Sequence, residues 1–299
     1  MASPSFVLET EHGLTSVMDT ALKNDAPALL LLHGNSSSSK VFRHICESAT
    51  ITSRWRVITF CLPGHGSSSK APDPNKSYHM RGYAELAIYI LRHLCIESVV
   101  VFGWSLGGHI GIEMIDLLKD SAMCATTKRI EIKGLMLTGA PPALGREQVL
   151  AALTTANEQN ALELVGQKSW TDDEALAFSK HSAAASIDKF WEPWMFVDAR
   201  NTDVRARTVL EKTFLGNGEV GAKGVDQRKV VETEDVLIAV VNGAEEQYVN
   251  LDYLEGIKWK NLWRNECIRL EGLHHAPFWE DPKGFEKILL DFVVDAEKK

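Results

Sequence analysis

Five short, almost unbroken apolar runs constrain this chain more than any other feature: Leu29-Leu30-Leu31-Leu32, Val57-Ile58-Thr59-Phe60, Val99-Val100-Val101-Phe102, Leu135-Met136-Leu137 and Leu237-Ile238-Ala239-Val240-Val241. A strand with one wet face alternates polar and apolar residues, so runs like these belong to strands covered on both faces. Between them, residues 80–95, 109–119 and 285–294 repeat apolar side chains every three or four positions, the spacing of an amphipathic helix. Strands alternating with helices predict a doubly wound, mostly parallel α/β sheet. A last strand is expected at 267–270, and the segments 5–9 and 14–20, joined at His12-Gly13, read as a hairpin at the sheet edge.

The alternation stops over 144–230, where Ala-rich, aromatic and helical sequence carries no central strand. The expected organisation is therefore a core of residues 1–143 and 231–299 with a helical cap inserted at 144–230. The glycines of Gly216-Asn217-Gly218 and of 221–224 supply a loop back to the sheet. An apolar share of 45% can furnish the core this requires. A net charge of −8 with no dense Lys/Arg run argues against nucleic acid and anionic membranes as partners, leaving small apolar ligands. Five scattered cysteines without a C-x-x-C pair read as reduced thiols. Residues 1–20 lack a basic-then-apolar leader, and no apolar run reaches the ~20 residues of a membrane helix. A cytoplasmic monomer is the expectation.

Chemistry enters where the run Val99 to Phe102 meets Gly103-Trp104-Ser105-Leu106-Gly107-Gly108 and helical sequence follows at once. A serine on so sharp a strand-to-helix turn has a strained backbone, and side chains two positions either side would collide; Gly103 and Gly107 remove them. The turn lifts the Ser105 hydroxyl above the strand ends, with the positive end of the next helix behind it.

A serine hydroxyl is protonated at neutral pH and needs a base, which in turn needs an acid to orient it. After the last expected strand stand His274 and His275, in Gly272-Leu273-His274-His275-Ala276-Pro277, and both are open as the base. After the strand at 237–241, Asn242-Gly243-Ala244-Glu245-Glu246 offers two carboxylates, Glu245 and Glu246. The remaining histidines that follow strands or the elbow, His33, His65 and His109, read as loop bracing or packing. Asn35 also suits the cap of a helix expected over 39–47.

From Leu29 to about Val294, outside the cap, the chain resembles the α/β-hydrolase superfamily. Besides the elbow, Leu62-Pro63-Gly64-His65-Gly66-Ser67-Ser68 matches that family's D-x-P-G-x-G-x-S loop, with Cys61 standing where Asp is usual. The resemblance implies Ser105 as nucleophile, His275 as base, Glu246 as acid, and the backbone N–H groups of Asn35 and Leu106 as the oxyanion hole. Within the superfamily the chain is most similar to the metal-independent N-acyl-homoserine lactone lactonases, the serine-dependent quorum-quenching group. That likeness rests on His33-Gly34-Asn35-Ser36-Ser37-Ser38, Trp55-Arg56-Val57-Ile58, the stretch from Val100 through Ser105 to Ile115, Ile238 to Gly243 with Glu246, and Gly272 with His275-Ala276-Pro277-Phe278. It implies a small apolar ester or lactone as substrate, no cofactor and no metal. Trp104, Phe178, Trp191 and Trp194 are the residues expected to touch substrate, with Phe190 and Phe196 as further aromatics of the cap.

Two other readings stand beside the lactonase. A carboxylesterase acting on other small apolar esters would use the same three residues, and a ligand receptor on this scaffold would keep a slow triad. Ser105 argues against the carboxylate-nucleophile dehalogenases and epoxide hydrolases of this fold. Neither H-x-H-x-D-H nor H-E-x-x-H occurs, so a zinc hydrolase has no support in the sequence.

Overall fold

The computed structural model describes residues 5–119, 129–154, 166–185, 187–216 and 223–299. Cys124 and the glycine-rich positions Asn217, Gly218 and Gly221 lie outside the described residues.

Eight strands form one sheet: β1 (Ser5–Thr10), β2 (Gly13–Asp19), β3 (Ala28–Leu32), β4 (Val57–Phe60), β5 (Ser98–Trp104), β6 (Glu131–Thr138), β7 (Leu237–Gly243) and β8 (Leu262–Leu270). Their order is β1-β2-β4-β3-β5-β6-β7-β8. The β1–β2 hairpin joins antiparallel, β2 pairs antiparallel with β4, and every other pairing is parallel. All five apolar runs became strands, and each sends alternate side chains into two separate cores. Leu30, Leu32, Val99, Val101, Leu135 and Leu137 pack on one face with helices Met80–His93 and Leu106–Lys119. Leu29, Leu31, Val100, Phe102 and Met136 pack on the other with Phe285, Leu289, Phe292 and Val293 of helix Pro282–Glu297. This two-sided burial is why the runs show no alternation in sequence.

β8 begins earlier than the run 267–270 foretold. It is the edge strand, and its polar Arg264-Asn265-Glu266 stretch faces outward with Arg264 and Asn265 at positive φ, where the ladder to β7 shifts register. An exposed edge tolerates this sequence, whereas a central strand would not. The helix expected over 39–47 divides into a 3-10 turn at Ser39–Phe42 and a short helix at Arg43–Glu47; Ser38, not Asn35, caps the turn by accepting the Lys40 N–H.

Between β6 and β7 lie helices Arg146–Ala152, Asp172–Ala184, Pro193–Asn201, Val204–Leu215 and Gln227–Thr233. The last of these runs across position 230, where the sequence placed the end of the insertion. Among the described residues no helix is long and apolar enough to cross a membrane.

Candidate active site

β5 ends at Trp104 and the next helix opens at Leu106, leaving Ser105 alone at the turn with φ +54°. Its backbone is pinned on both sides. The Ser105 N–H donates to Thr138 O at 2.8 Å, and the Gly108 N–H donates to Ser105 O at 2.9 Å. A Cβ on Gly103 would sit 2.4 Å from Gly107 O, and one on Gly107 only 1.9 Å from Leu32 O. Gly108 is equally confined, with Ala140 Cβ 2.4 Å from where its own Cβ would stand. The glycines are thus what allows strand, helix and neighbouring strand to meet at the serine.

His275 lies on the loop after β8, and its side chain is 6% exposed. Its Nδ1 lies 2.8 and 2.9 Å from the two carboxylate oxygens of Glu246, whose side chain is fully buried. Glu245 is exposed, and among the described residues only its backbone N–H is engaged, with Leu273 O. His274 is occupied elsewhere: its Nδ1 lies 2.8 Å from Glu280 Oε2, and its backbone N–H donates to the same carboxylate. Since a carboxylate only accepts, Nδ1 of His275 carries the proton and Nε2 is left with the lone pair. Gly139, at φ +64°, makes room for the ring, for a Cβ there would fall 2.5 Å from His275 Cε1.

Ser105, His275, Asn35 and Leu106 line one cavity of about 410 Å³. Among the described residues, neither the Asn35 nor the Leu106 backbone N–H has a hydrogen-bond partner. The Asn35 loop is braced by neighbouring histidines. His33 donates from Nδ1 to Gly34 O and accepts the Leu62 N–H at Nε2, and burial pushes its pKa down to about 3. His65 donates from Nδ1 to Pro63 O and meets the Asn35 amide with Nε2, its pKa lowered to about 4 by burial. Among the described residues Cys61 takes no ion pair; its thiol meets the Ser39 hydroxyl at 3.3 Å.

Of the residues expected to touch substrate, Trp104 and Phe178 line the cavity. Trp191 and Trp194 are not among its lining residues, which corrects the expectation. Trp191 donates to Ser179 Oγ and lies under Lys180, while Trp194 donates to Glu192 and packs edge-on against Trp279. Their indole N–H groups found polar partners within the chain between β6 and β7, at Ser179 and Glu192. Phe190 gives its carbonyl to Trp279, and Phe196 packs into the core on the Met80–His93 side.

The apolar wall is instead aliphatic as well as aromatic. Met80 comes from the core, and Val149, Leu210, Phe214 and Leu215 come from the helices between β6 and β7. Leu210 and Phe214 are four apart in one helix, a spacing readable in the sequence but shared by every amphipathic helix. Sequence reasoning also missed Tyr248. Its backbone N–H donates to Glu246 Oε1 at 2.8 Å, its ring meets the His275 ring edge-on at 4.7 Å, and its hydroxyl donates to His181 Nδ1 at 2.5 Å. Among the described residues no cluster of three or more His, Cys, Asp or Glu could hold a metal ion.

The family model for the alpha/beta hydrolase fold matches residues 27–282. The crystal structure of the N-acyl homoserine lactonase AidH complexed with N-butanoyl homoserine superposes with a TM-score of 0.85 at 35% identity, covering 98% of this chain and 97% of that one. A pimeloyl-[acyl-carrier protein] methyl ester esterase of Aromatoleum aromaticum is 24% identical over 275 residues, 89% of this chain and 98% of its own. An uncharacterized protein of Mycobacterium tuberculosis is 33% identical over 113 residues, a match that spans 38% of this chain and 31% of that protein. With a strand order and elbow built as described, and a family model matching most of its length, the chain belongs to the α/β-hydrolase fold family.

Proposed function

We propose that this protein is a serine hydrolase of ester bonds that opens the lactone ring of N-acyl homoserine lactones, without a metal, through Ser105, His275 and Glu246. The observation that carries the reading is the convergence of a left-handed Ser105, a Glu246-held His275 and two unengaged N–H groups on one apolar cavity. The likeness to AidH along nearly its whole length supports the choice of substrate.

In this mechanism Ser105 Oγ attacks the lactone carbonyl while His275 Nε2 takes its proton. Glu246 stabilises the imidazolium through Nδ1–H. The Asn35 and Leu106 N–H groups donate to the oxyanion of the tetrahedral intermediate. Collapse returns the proton to the ring oxygen and leaves an acyl-enzyme whose alcohol is still tethered to the acyl part. That alcohol competes with water for the ester, because tethering confers a high effective concentration. Residues 144–230, read as a cap, would decide the contest by turning the released hydroxyl away from the ester and admitting water.

The test is hydrolysis of short- and long-chain N-acyl homoserine lactones beside p-nitrophenyl esters, for wild type and Ser105→Ala, with a chelator present. Lactone turnover that survives chelation and vanishes in Ser105→Ala is the expected result. Turnover of esters alone would make the protein a carboxylesterase, binding without turnover would make it a receptor, and activity that survives Ser105→Ala would refute the mechanism.

A further inference from the structure

His109 lies one helical turn beyond Ser105, and its side chain lines the same cavity. Its Nδ1 is 2.7 Å from Gln227 Oε1. The orientation of that amide is set by its other neighbours. Gln227 is fully buried; its Oε1 faces the Ala143 N–H, which can only donate, and its Nε2 faces Met80 Sδ. An amide oxygen can only accept, so Nδ1 of His109 carries the proton. Burial pushes the His109 pKa down to about 4, which keeps the ring neutral. Nε2 is then a lone-pair acceptor, and among the described residues no group donates to it. Its surroundings are apolar. Phe214 meets the His109 ring at 5.0 Å, and Phe214 and Met80 both line the cavity.

We propose that His109 is a specificity-determining residue whose Nε2 accepts a hydrogen bond from a hydroxyl on the acyl chain of the substrate, so that 3-hydroxyacyl substrates are preferred over unsubstituted ones. The inference rests on reading the cavity as the acyl-binding site. Four residues of helix rise about 6 Å, which matches a substituent near the start of the chain and not at its tip. A purely apolar wall discriminates weakly against an added hydroxyl. A built acceptor does the opposite, because a chain without a donor strips water from Nε2 and gives nothing back.

The experiment compares kcat/KM for chain-matched N-acyl homoserine lactones bearing a 3-hydroxyl, a 3-methoxy group or no substituent, and for methyl esters of the same acids. Wild type is expected to favour the hydroxyl over the unsubstituted chain by roughly tenfold, and to give the methoxy compound, which has no donor, no such gain. In His109→Asn the side-chain amide still offers an N–H toward Gln227, but its oxygen overlays the ring's Cδ2 and falls short of Nε2, so no acceptor stands at the Nε2 position and the preference should fall to about one. The readout is a ratio within each variant, so a general loss of activity cancels. Equal treatment of hydroxyl and methoxy by wild type, or a ratio that persists in His109→Asn, would overturn the proposal. If His109→Asn does not fold, the wild-type hydroxyl–methoxy comparison still decides. If the lactones are inert and the esters are turned over, the lactone reading fails and the ester ratios still judge His109.

Discussion

The Trp104 indole N–H donates to the backbone carbonyl of His275 at 2.8 Å, so the residue before Ser105 holds the loop that carries His275. The two rings also pack at 5.5 Å. Trp104→Phe keeps most of the apolar contact and deletes this bond, leaving a buried carbonyl unpaired. We expect kcat to fall by about tenfold or more with a modest drop in melting temperature, measurable by steady-state kinetics beside a thermal melt. An unchanged kcat would mean that the loop positions His275 without help from the indole.

Glu246 and Glu245 are neighbours in sequence with opposite surroundings, one buried against His275 and the other in solvent. Glu246→Gln should lower kcat by roughly 10³–10⁴-fold, because an amide neither fixes the tautomer reliably nor stabilises the imidazolium. Glu245→Gln should stay within about twofold of wild type. The pair of variants, assayed on one substrate, separates the two positions.

Two glycines are expected to fail in different ways. Gly107→Ala drives a methyl into the Leu32 carbonyl, a backbone atom that cannot swing aside, and should cost several kcal/mol or prevent folding. Gly139→Ala places its methyl against the His275 ring, so activity should fall by far more than stability alone explains. Urea denaturation together with kcat for each variant reads this difference.

Stability should depend on pH in two opposed ways. Burial lowers His33 to about 3 and His65, His79 and His109 to about 4, so below the ordinary histidine value of 6.5 the unfolded chain takes up protons that the native one refuses. The stability these histidines contribute is complete above pH 6.5 and is lost as pH falls toward 4–3. Glu113 acts in the other sense. Burial raises it to about 7, against 4.5 in the open chain, so its contribution is complete below pH 4.5 and is lost as pH rises through 7. Glu113→Gln is therefore expected to melt a few degrees above wild type at pH 8 and to lose that advantage near pH 4.5. A melting-temperature series on both proteins over pH 4–8 tests both signs.

The core strands were legible because a strand covered on both faces leaves an unmistakable apolar run, as at 29–32 and 99–102. β8 was only half legible, since at the sheet edge its Arg264-Asn265-Glu266 stretch is exposed, shifts register and carries no pattern. The elbow could be read from Gly103 and Gly107, whose positions are dictated by collisions now visible at Gly107 O and Leu32 O. The cavity wall could not. Trp191 and Trp194 looked like pocket residues because indole is large and apolar, yet each carries an N–H that drew it to Ser179 or Glu192. Tyr248 and Leu210 left no signal, for a pocket lining is set by which helix face turns inward, and spacing alone does not say toward what.

The chain between β6 and β7 is sewn to the loop bearing Glu246. Leu153 bridges to Val249, the Thr154 hydroxyl donates to Gln247 O, and Tyr248 reaches His181. A graft that carried 144–230 alone into another scaffold would sever all three stitches and arrive beside a foreign acid loop. A unit that keeps these contacts is therefore larger than residues 144–230 by the stretch from Glu246 to Asn250, whose own N–H donates to Ala152 O. Leu210 and Phe214 line the cavity without taking part in this seam, so exchanging them leaves these three contacts in place.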